Sequence, residues 1–172
     1  ASVASGESRQ IWKAPETLRG SPPNTQGGTN LTWVAGGRIA FMSYVDGWPH
    51  LYSISDRSGE PLLLTPGNYQ VEFVSVSPDR RHLLFAANTG KDPNDIDRRH
   101  VVKVPVDRAA SEVMTPGTGI EWTPVVTGDG RHVVYDVADR ETANLDLWSL
   151  PTSPGGTPTR LTFDPLQCVT SG

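Results

Sequence analysis

Short runs of apolar and β-branched residues, each broken by a cluster of Gly, Pro, Asp or Ser, follow one another from Leu31 to Thr162. Val71–Val76 is such a run, Ser77-Pro78-Asp79-Arg80-Arg81 breaks it, and His82–Ala87 resumes it. Proline presets φ in a turn and aspartate bonds its own backbone there, so this stretch predicts a hairpin. Val101–Val104 and Glu112–Met114 complete a set of four short strands. A second set runs Trp122–Val126, His132–Tyr135, Leu145–Leu150 and Thr159–Thr162, and an earlier one runs Leu31–Val34, Arg38–Phe41, His50–Ile54 and Pro61–Leu64. No window places apolar residues at helical spacing over any useful length.

The recurrence has a period of fifty residues. His50 returns as His100, His82 as His132, Asp79 as Asp129, Arg81 as Arg131, and Thr65-Pro66-Gly67 as Thr115-Pro116-Gly117. A period of about 40–50 residues carried on strands marks a repeat architecture, with four strands to a propeller blade. An irregular β-sandwich also has many short strands, but it needs no fixed period. The expected fold is therefore all-β, a β-propeller fragment of about three complete four-stranded blades plus half of another.

The half blade is read at the start of the chain, where Gln10–Pro15 resembles Asp146–Pro151, a third strand, and Glu16–Arg19 supplies a fourth. The expected divisions are a flexible N-terminus at 1–9, outer strands of an incomplete blade at 10–20, blades at 29–67, 69–117 and 118–165, and a tail at 166–172. Closed propellers hold about four to eight blades. Three and a half blades are thus expected to find their missing neighbours in a larger propeller or in another copy of the chain.

Composition agrees with a loop-rich β protein and narrows the partners. The chain has 172 residues, 17 Gly and 15 Pro, and a net charge of −4. Its only basic clusters are the pairs Arg80-Arg81 and Arg98-Arg99, so the electrostatic footprint of a nucleic-acid binder is missing. No apolar run approaches the length of a membrane-spanning helix, and Ala1–Ser8 lacks the apolar core of a signal peptide. Cys168 is the single cysteine, which excludes an internal disulfide and a cysteine metal site. The sequence assigns no compartment.

Ser77-Pro78-Asp79-Arg80-Arg81, Asp129-Gly130-Arg131 and Arg160-Leu161-Thr162-Phe163-Asp164 resemble the repeats of TolB-like propellers. The same repeats build the N-terminal propeller of the prolyl-oligopeptidase family, including dipeptidyl and acylaminoacyl peptidases. Gly27–Leu31, Asp46–Tyr52 and Asp95–His100 are the pieces most similar to the bacterial peptidases, within a resemblance that runs from about Ile11 to Gly130. It implies a propeller that covers an active site and filters substrates by size, with the chemistry on a separate α/β-hydrolase domain. That domain needs a Gly-x-Ser-x-Gly nucleophile elbow. This chain has none, the nearest miss being Gly6-Glu7-Ser8-Arg9-Gln10. No catalytic residue, cofactor or metal is therefore expected, and the partner is a protein or peptide. The rival readings are a TolB-like protein-interaction module, and a shortened or engineered propeller that completes its ring by self-association.

The repeat also accounts for the polar residues. The four histidines fall into two equivalent pairs whose slots elsewhere hold Arg38 and Asp146, so a structural role is expected for them. Trp33, Phe73 and Trp122 lie in first strands and are expected to pack between blades. Two features stand outside the repeat. Fifteen positions separate Phe85 from His100, against nine from Phe41 to His50, so the second blade carries an insertion at 91–99. Asp92, Asn94, Asp95 and Asp97 could offer oxygen ligands, but Ile96 breaks the calcium-loop pattern. A loop neutralised by its own Arg98 and Arg99 is the expectation. Trp48 sits between strands in Asp46-Gly47-Trp48-Pro49. The candidate contact residues are accordingly Trp48, Asp92, Asp95, Asp97, Arg98 and Arg99.

Overall fold

The computed structural model describes residues 2–20, 31–57, 59–89, 97–115, 119–138 and 144–163. Among these residues twelve strands form three four-stranded antiparallel sheets. The first holds β1 (Leu31–Val34), β2 (Arg38–Ser43), β3 (His50–Ser55) and β4 (Leu62–Leu63). The second holds β5 (Val71–Val76), β6 (His82–Ala87), β7 (His100–Pro105) and β8 (Glu112–Val113). The third holds β9 (Ile120–Val126), β10 (His132–Ala138), β11 (Leu145–Pro151) and β12 (Thr159–Arg160). Each sheet is a simple meander in sequence order, the strand arrangement of a propeller blade.

The repeat is visible in the bonds. Ser77 Oγ donates to Asp79 Oδ1 at 2.6 Å, and that oxygen also accepts the Arg81 N–H at 3.0 Å. Thr127, Asp129 and Arg131 repeat both bonds, at 2.6 and 3.0 Å. The turn places Arg80 at φ 58 and Gly130 at φ 73, so glycine relieves in the third sheet a left-handed geometry that arginine bears in the second. The first strands β5 and β9 carry equivalent bulges, with Phe73 at φ 51 and Thr123 at φ 46, fifty residues apart. Bulges of this kind bend an edge strand and discourage further pairing.

The sheets stack face to face, and the same rows meet at both seams. At the first seam, Ala40, Met42, Leu51 and Leu64 pack against Val71, Leu83, Phe85, Val102 and Val104. At the second, Leu84, Val101 and Met114 pack against Val133, Tyr135, Trp148 and Leu150. Backbone bonds tie the seams at matching places: the Val71 N–H donates to Pro49 O at 3.0 Å, and the Glu121 N–H to Arg99 O at 2.9 Å. These residues are fifty apart as well.

Two expectations change. Residues 10–20 hold no strand and only a 3-10 turn at Leu18–Gly20. Gln10–Pro15, though similar in sequence to Asp146–Pro151, pairs with no strand among the described residues. It lies instead as a strap over the free face of the first sheet, where Ile11 and Trp12 pack on Phe41, Tyr52, Ile39 and Leu63. Trp33 does not pack between sheets; it is 56% exposed, while Phe73 and Trp122 do stack across the second seam at 6.2 Å.

Candidate functional site

Every sheet closes with the same lock. Thr65 Oγ1 accepts the Leu51 N–H at 2.9 Å, Thr115 Oγ1 that of Val101 at 2.8 Å, and Thr162 Oγ1 that of Leu147 at 2.9 Å. The residue before each of these anchored strand positions is polar and buried: His50, His100 and Asp146. His50 Nδ1 lies 2.6 Å from Asp46 Oδ2, within its own sheet's loop. His100 Nδ1 lies 2.9 Å from Glu121 Oε2, which comes from the next sheet and also accepts Thr115 Oγ1 at 2.5 Å. Asp146 receives Arg160 Nη2 at 2.7 Å and Thr162 Oγ1 at 3.2 Å. His50 and His100 are therefore parts of the lock. Among the described residues no group of three His, Cys, Asp or Glu side chains converges as metal ligands would.

The connection from β2 to β3 presents Trp48. Asp46 holds it from the inside: besides His50, its Oδ1 accepts the Trp48 N–H at 3.4 Å. Burial first, and then the Asp46 charge, push the Tyr52 phenol up to about 12. The Gly47 N–H donates to Tyr44 O at 2.8 Å, and Gly47 sits at φ 102, a geometry that glycine accepts without strain. Pro49 is buried and its carbonyl is tied to Val71. The indole of Trp48, half-buried, thus stands on a loop fixed on both sides. A preset aromatic of this kind costs little ordering entropy when it meets a partner.

The equivalent connection in the second sheet carries the insertion. Asp92 and Asp95 lie outside the described residues, whereas Asp97 is exposed and Arg98 and Arg99 are half-buried. Among the described residues, Arg99 pairs outside its own loop. Its Nε lies 2.5 Å from Glu72 Oε2 on β5, and its Nη1 donates to Arg98 O at 2.9 Å. Glu72 also accepts Gln70 Nε2 at 2.9 Å. Arg99 therefore anchors the end of the insertion to the first strand of its own sheet. The antiparallel order puts the Trp48 loop and the 97–99 segment at the same end of the stack, where Pro49 and Arg99 make their equivalent seam bonds.

Two residues that matter here were not singled out in the sequence. Asp46 and Glu121 supply the carboxylates for His50 and His100 from different places. The readable signal for Glu121 was a break in the period, since the position fifty earlier is Val71.

A cleft of about 380 Å³ lies at the opposite end, between the second and third sheets, lined by Asp79, His82, Leu84, Lys103, Val126 and Asp129 among others. Its charges are already engaged. The Ser77 and Thr127 hydroxyls, followed by the Arg81 and Arg131 amides, hold the carboxyls of Asp79 and Asp129 below the usual range. Lys103 Nζ lies 3.0 Å from Glu112, and burial keeps His82 below the ordinary imidazole value. This end is turn chemistry, which leaves the Trp48 end as the candidate contact surface.

Comparison with known proteins agrees with this architecture. The family model described as the dipeptidyl peptidase IV (DPP IV) N-terminal region matches residues 25–144. A puromycin-hydrolyzing peptidase from Mycobacterium tuberculosis superposes with a TM-score of 0.58 at 18% identity, over 77% of this chain and 22% of that one. A protein assigned as TolB in Agrobacterium tumefaciens gives 0.57 at 20%, over 78% and 50%. Porphyromonas gingivalis dipeptidyl peptidase 4 gives 0.56 at 16%, over 72% and 16%. At these identities the structures share the fold. The matched region spans half or less of each of these relatives. No curated protein sequence matches the chain.

Proposed function

The chain belongs to the dipeptidyl peptidase IV N-terminal family, and from that premise we propose that it is a non-catalytic propeller segment that selects substrates for a serine peptidase. The observation that carries the reading is the family match over 25–144, which takes in all of the first two sheets and the first two strands of the third. Two features support it. The sequence offers no Gly-x-Ser-x-Gly elbow on which a serine nucleophile could stand. The Trp48 loop and the Asp97–Arg99 segment give one end of the stack a fixed aromatic beside charged side chains, a surface suited to extended peptides.

In this role the propeller contributes sorting. An unfolded short peptide passes the sheets, while a folded or long chain is held off by the rigid rim. The chain is to be added to the α/β-hydrolase domain of a dipeptidyl peptidase IV-type enzyme freed of its own propeller. Turnover of a long unstructured peptide is expected to fall at least about tenfold relative to a chromogenic dipeptide, about 1.4 kcal/mol of selection. The Trp48→Ala variant is expected to lose part of that selectivity. Equal turnover of long and short peptides, with and without the chain, would sink the proposal.

A further inference from the structure

The cleft between the second and third sheets lies where the repeat changes its residues. Three of the positions lining it are His82, Lys103 and Thr152. Their counterparts at the first seam are Arg38, Ser53 and Val106. Arg38 and His82 each open a second strand, and Ser53 and Lys103 pair with the equivalent residues Ala40 and Leu84. The Val106 and Thr152 N–H groups donate to the turn carbonyls of Arg81 and Arg131.

At the first seam the three residues are bonded into one plug. Arg38 Nε donates to Ser53 Oγ at 3.0 Å and its Nη2 to Ser53 O at 3.1 Å. Ser53 Oγ then donates across the seam to Val106 O at 2.7 Å. A second arginine spans the same seam, with Arg80 Nη1 donating to Trp33 O at 3.4 Å. At the second seam both arginines are replaced, Arg38 by His82 and Arg80 by Gly130. A Cβ on Gly130 would meet nothing within 4 Å. Lys103 does not repeat the Ser53 bond, because its Nζ lies 3.0 Å from Glu112. Among the described residues, Thr152 O receives no bond from the second sheet. The cleft of about 380 Å³ stands in place of the plug, within the range of about 300–1,000 Å³ typical of ligand pockets.

Its walls accept hydrogen bonds more than they donate them. Burial first keeps His82 below the ordinary imidazole value, so at neutral pH the ring is uncharged and offers an acceptor nitrogen. The Ser77 and Thr127 hydroxyls, then the Arg81 and Arg131 amides, bond only Oδ1 of Asp79 and Asp129. These bonds hold both carboxyls below the usual range, so both are charged at neutral pH. The Lys103 ammonium is offset by Glu112. Leu84 and Val126 add an apolar wall. Such a lining suits an alkyl stem that ends in a planar cation with several donors, which is what Arg38 presents at the first seam.

We propose that the cleft binds a guanidinium group on an alkyl stem, taking from outside the molecule what Arg38 supplies at the first seam. The stem packs on Leu84 and Val126, and the guanidinium faces His82 and the carboxylate rim. The site lies at the end opposite Trp48, so its outcome is independent of peptide selection.

Amide shifts of the full chain, followed by NMR with butylguanidinium and butylammonium chlorides at matched ionic strength, test this. Butylguanidinium is expected to move the amides of Asp79, Gly130 and Thr152 in a saturable way. It is expected to bind at least about fivefold tighter than butylammonium, the worth of about one further hydrogen bond. Acetyl-arginine amide separates the sources of the group: equal affinity assigns the cleft to free alkylguanidines, and tighter binding to arginine side chains of peptides. His82→Arg with Lys103→Ser rebuilds the plug and is expected to abolish the shifts. Asp129→Asn keeps Oδ1 for the turn, so it tests the site even if the plugged variant does not fold. It is expected to weaken binding about threefold, as for an exposed ion pair. Shifts that do not saturate, that butylammonium matches in affinity, or that survive in a folded plugged variant overturn the proposal. Unchanged affinity in Asp129→Asn overturns it as well.

Discussion

Glu121→Ala is expected to destabilise the fold by several kcal/mol, about 1–3 kcal/mol for each buried polar group that loses its partner. Glu121 is 4% exposed, and its carboxylate holds both His100 Nδ1 and Thr115 Oγ1. Without it the His100 imidazole and the Thr115 hydroxyl each lose a carboxylate partner beside an apolar seam, and losing a buried partner carries a desolvation cost. The equivalent residue Val71 needs no such role, because Asp46 serves His50 from within its own loop. Glu121→Val, which copies the earlier repeat, is therefore expected to destabilise as well. Urea denaturation gives the size of the effect. Tyr135 gives a second readout: burial first, and then the Glu121 charge, push its phenol up to about 12. In Glu121→Ala the smaller of these contributions disappears, so the phenol is expected to titrate at lower pH while remaining raised by burial. An unchanged urea midpoint would mean that the lock across the second seam contributes nothing.

Phe85→Ala is expected to cost a similar amount, about 3–5 kcal/mol, for a different reason. Phe85 is fully buried in the middle of the first seam, among Ala40, Met42, Leu51 and the aliphatic residues of its own sheet. Truncation removes a large apolar contact area and leaves a cavity that flanking strands cannot collapse to fill. Stacked repeats behave approximately as nearest neighbours, so the two variants are expected to loosen different places. Hydrogen exchange should quicken chiefly in β1–β4 for Phe85→Ala and in β9–β12 for Glu121→Ala. Trp33→Ala removes an equally large ring from an exposed position and is expected to change little.

The period made the sheets legible because each repeat must bury the same rows against its neighbour. The runs at Val71–Val76 and His82–Ala87 are strands at those bounds, and the third strand of that sheet begins one residue early, at His100. The Ser-Pro-Asp turn was legible because the second and third sheets repeat its bonds, and His50 and His100 because each precedes a strand position anchored by a threonine. What escaped the sequence were the places where the period breaks or where, among the described residues, no sheet lies alongside. Gln10–Pro15 copies the residues of a third strand, but a strand forms only against a partner, and here the segment packs by its side chains alone. Trp33 looks like a seam residue and lies exposed, since among the described residues no sheet packs on its face. Arg99 also reaches Glu72, a contact twenty-seven residues back that no local pattern encodes.

The contact surface was legible only in part. Trp48 was visible as an aromatic between strands, and the structure adds the Asp46, Gly47 and Pro49 bonds that fix it. Asp97 and Arg98 stand at the same end of the stack by topology, which a reading of composition could not supply.

The central claim is that this propeller sorts substrates and performs no hydrolysis itself. Incubating the purified chain with a serine-reactive fluorophosphonate and a chromogenic dipeptide tests it most directly. The expected result is no covalent label and no turnover above buffer. A stoichiometric label on any serine, with turnover that the label abolishes, would contradict it.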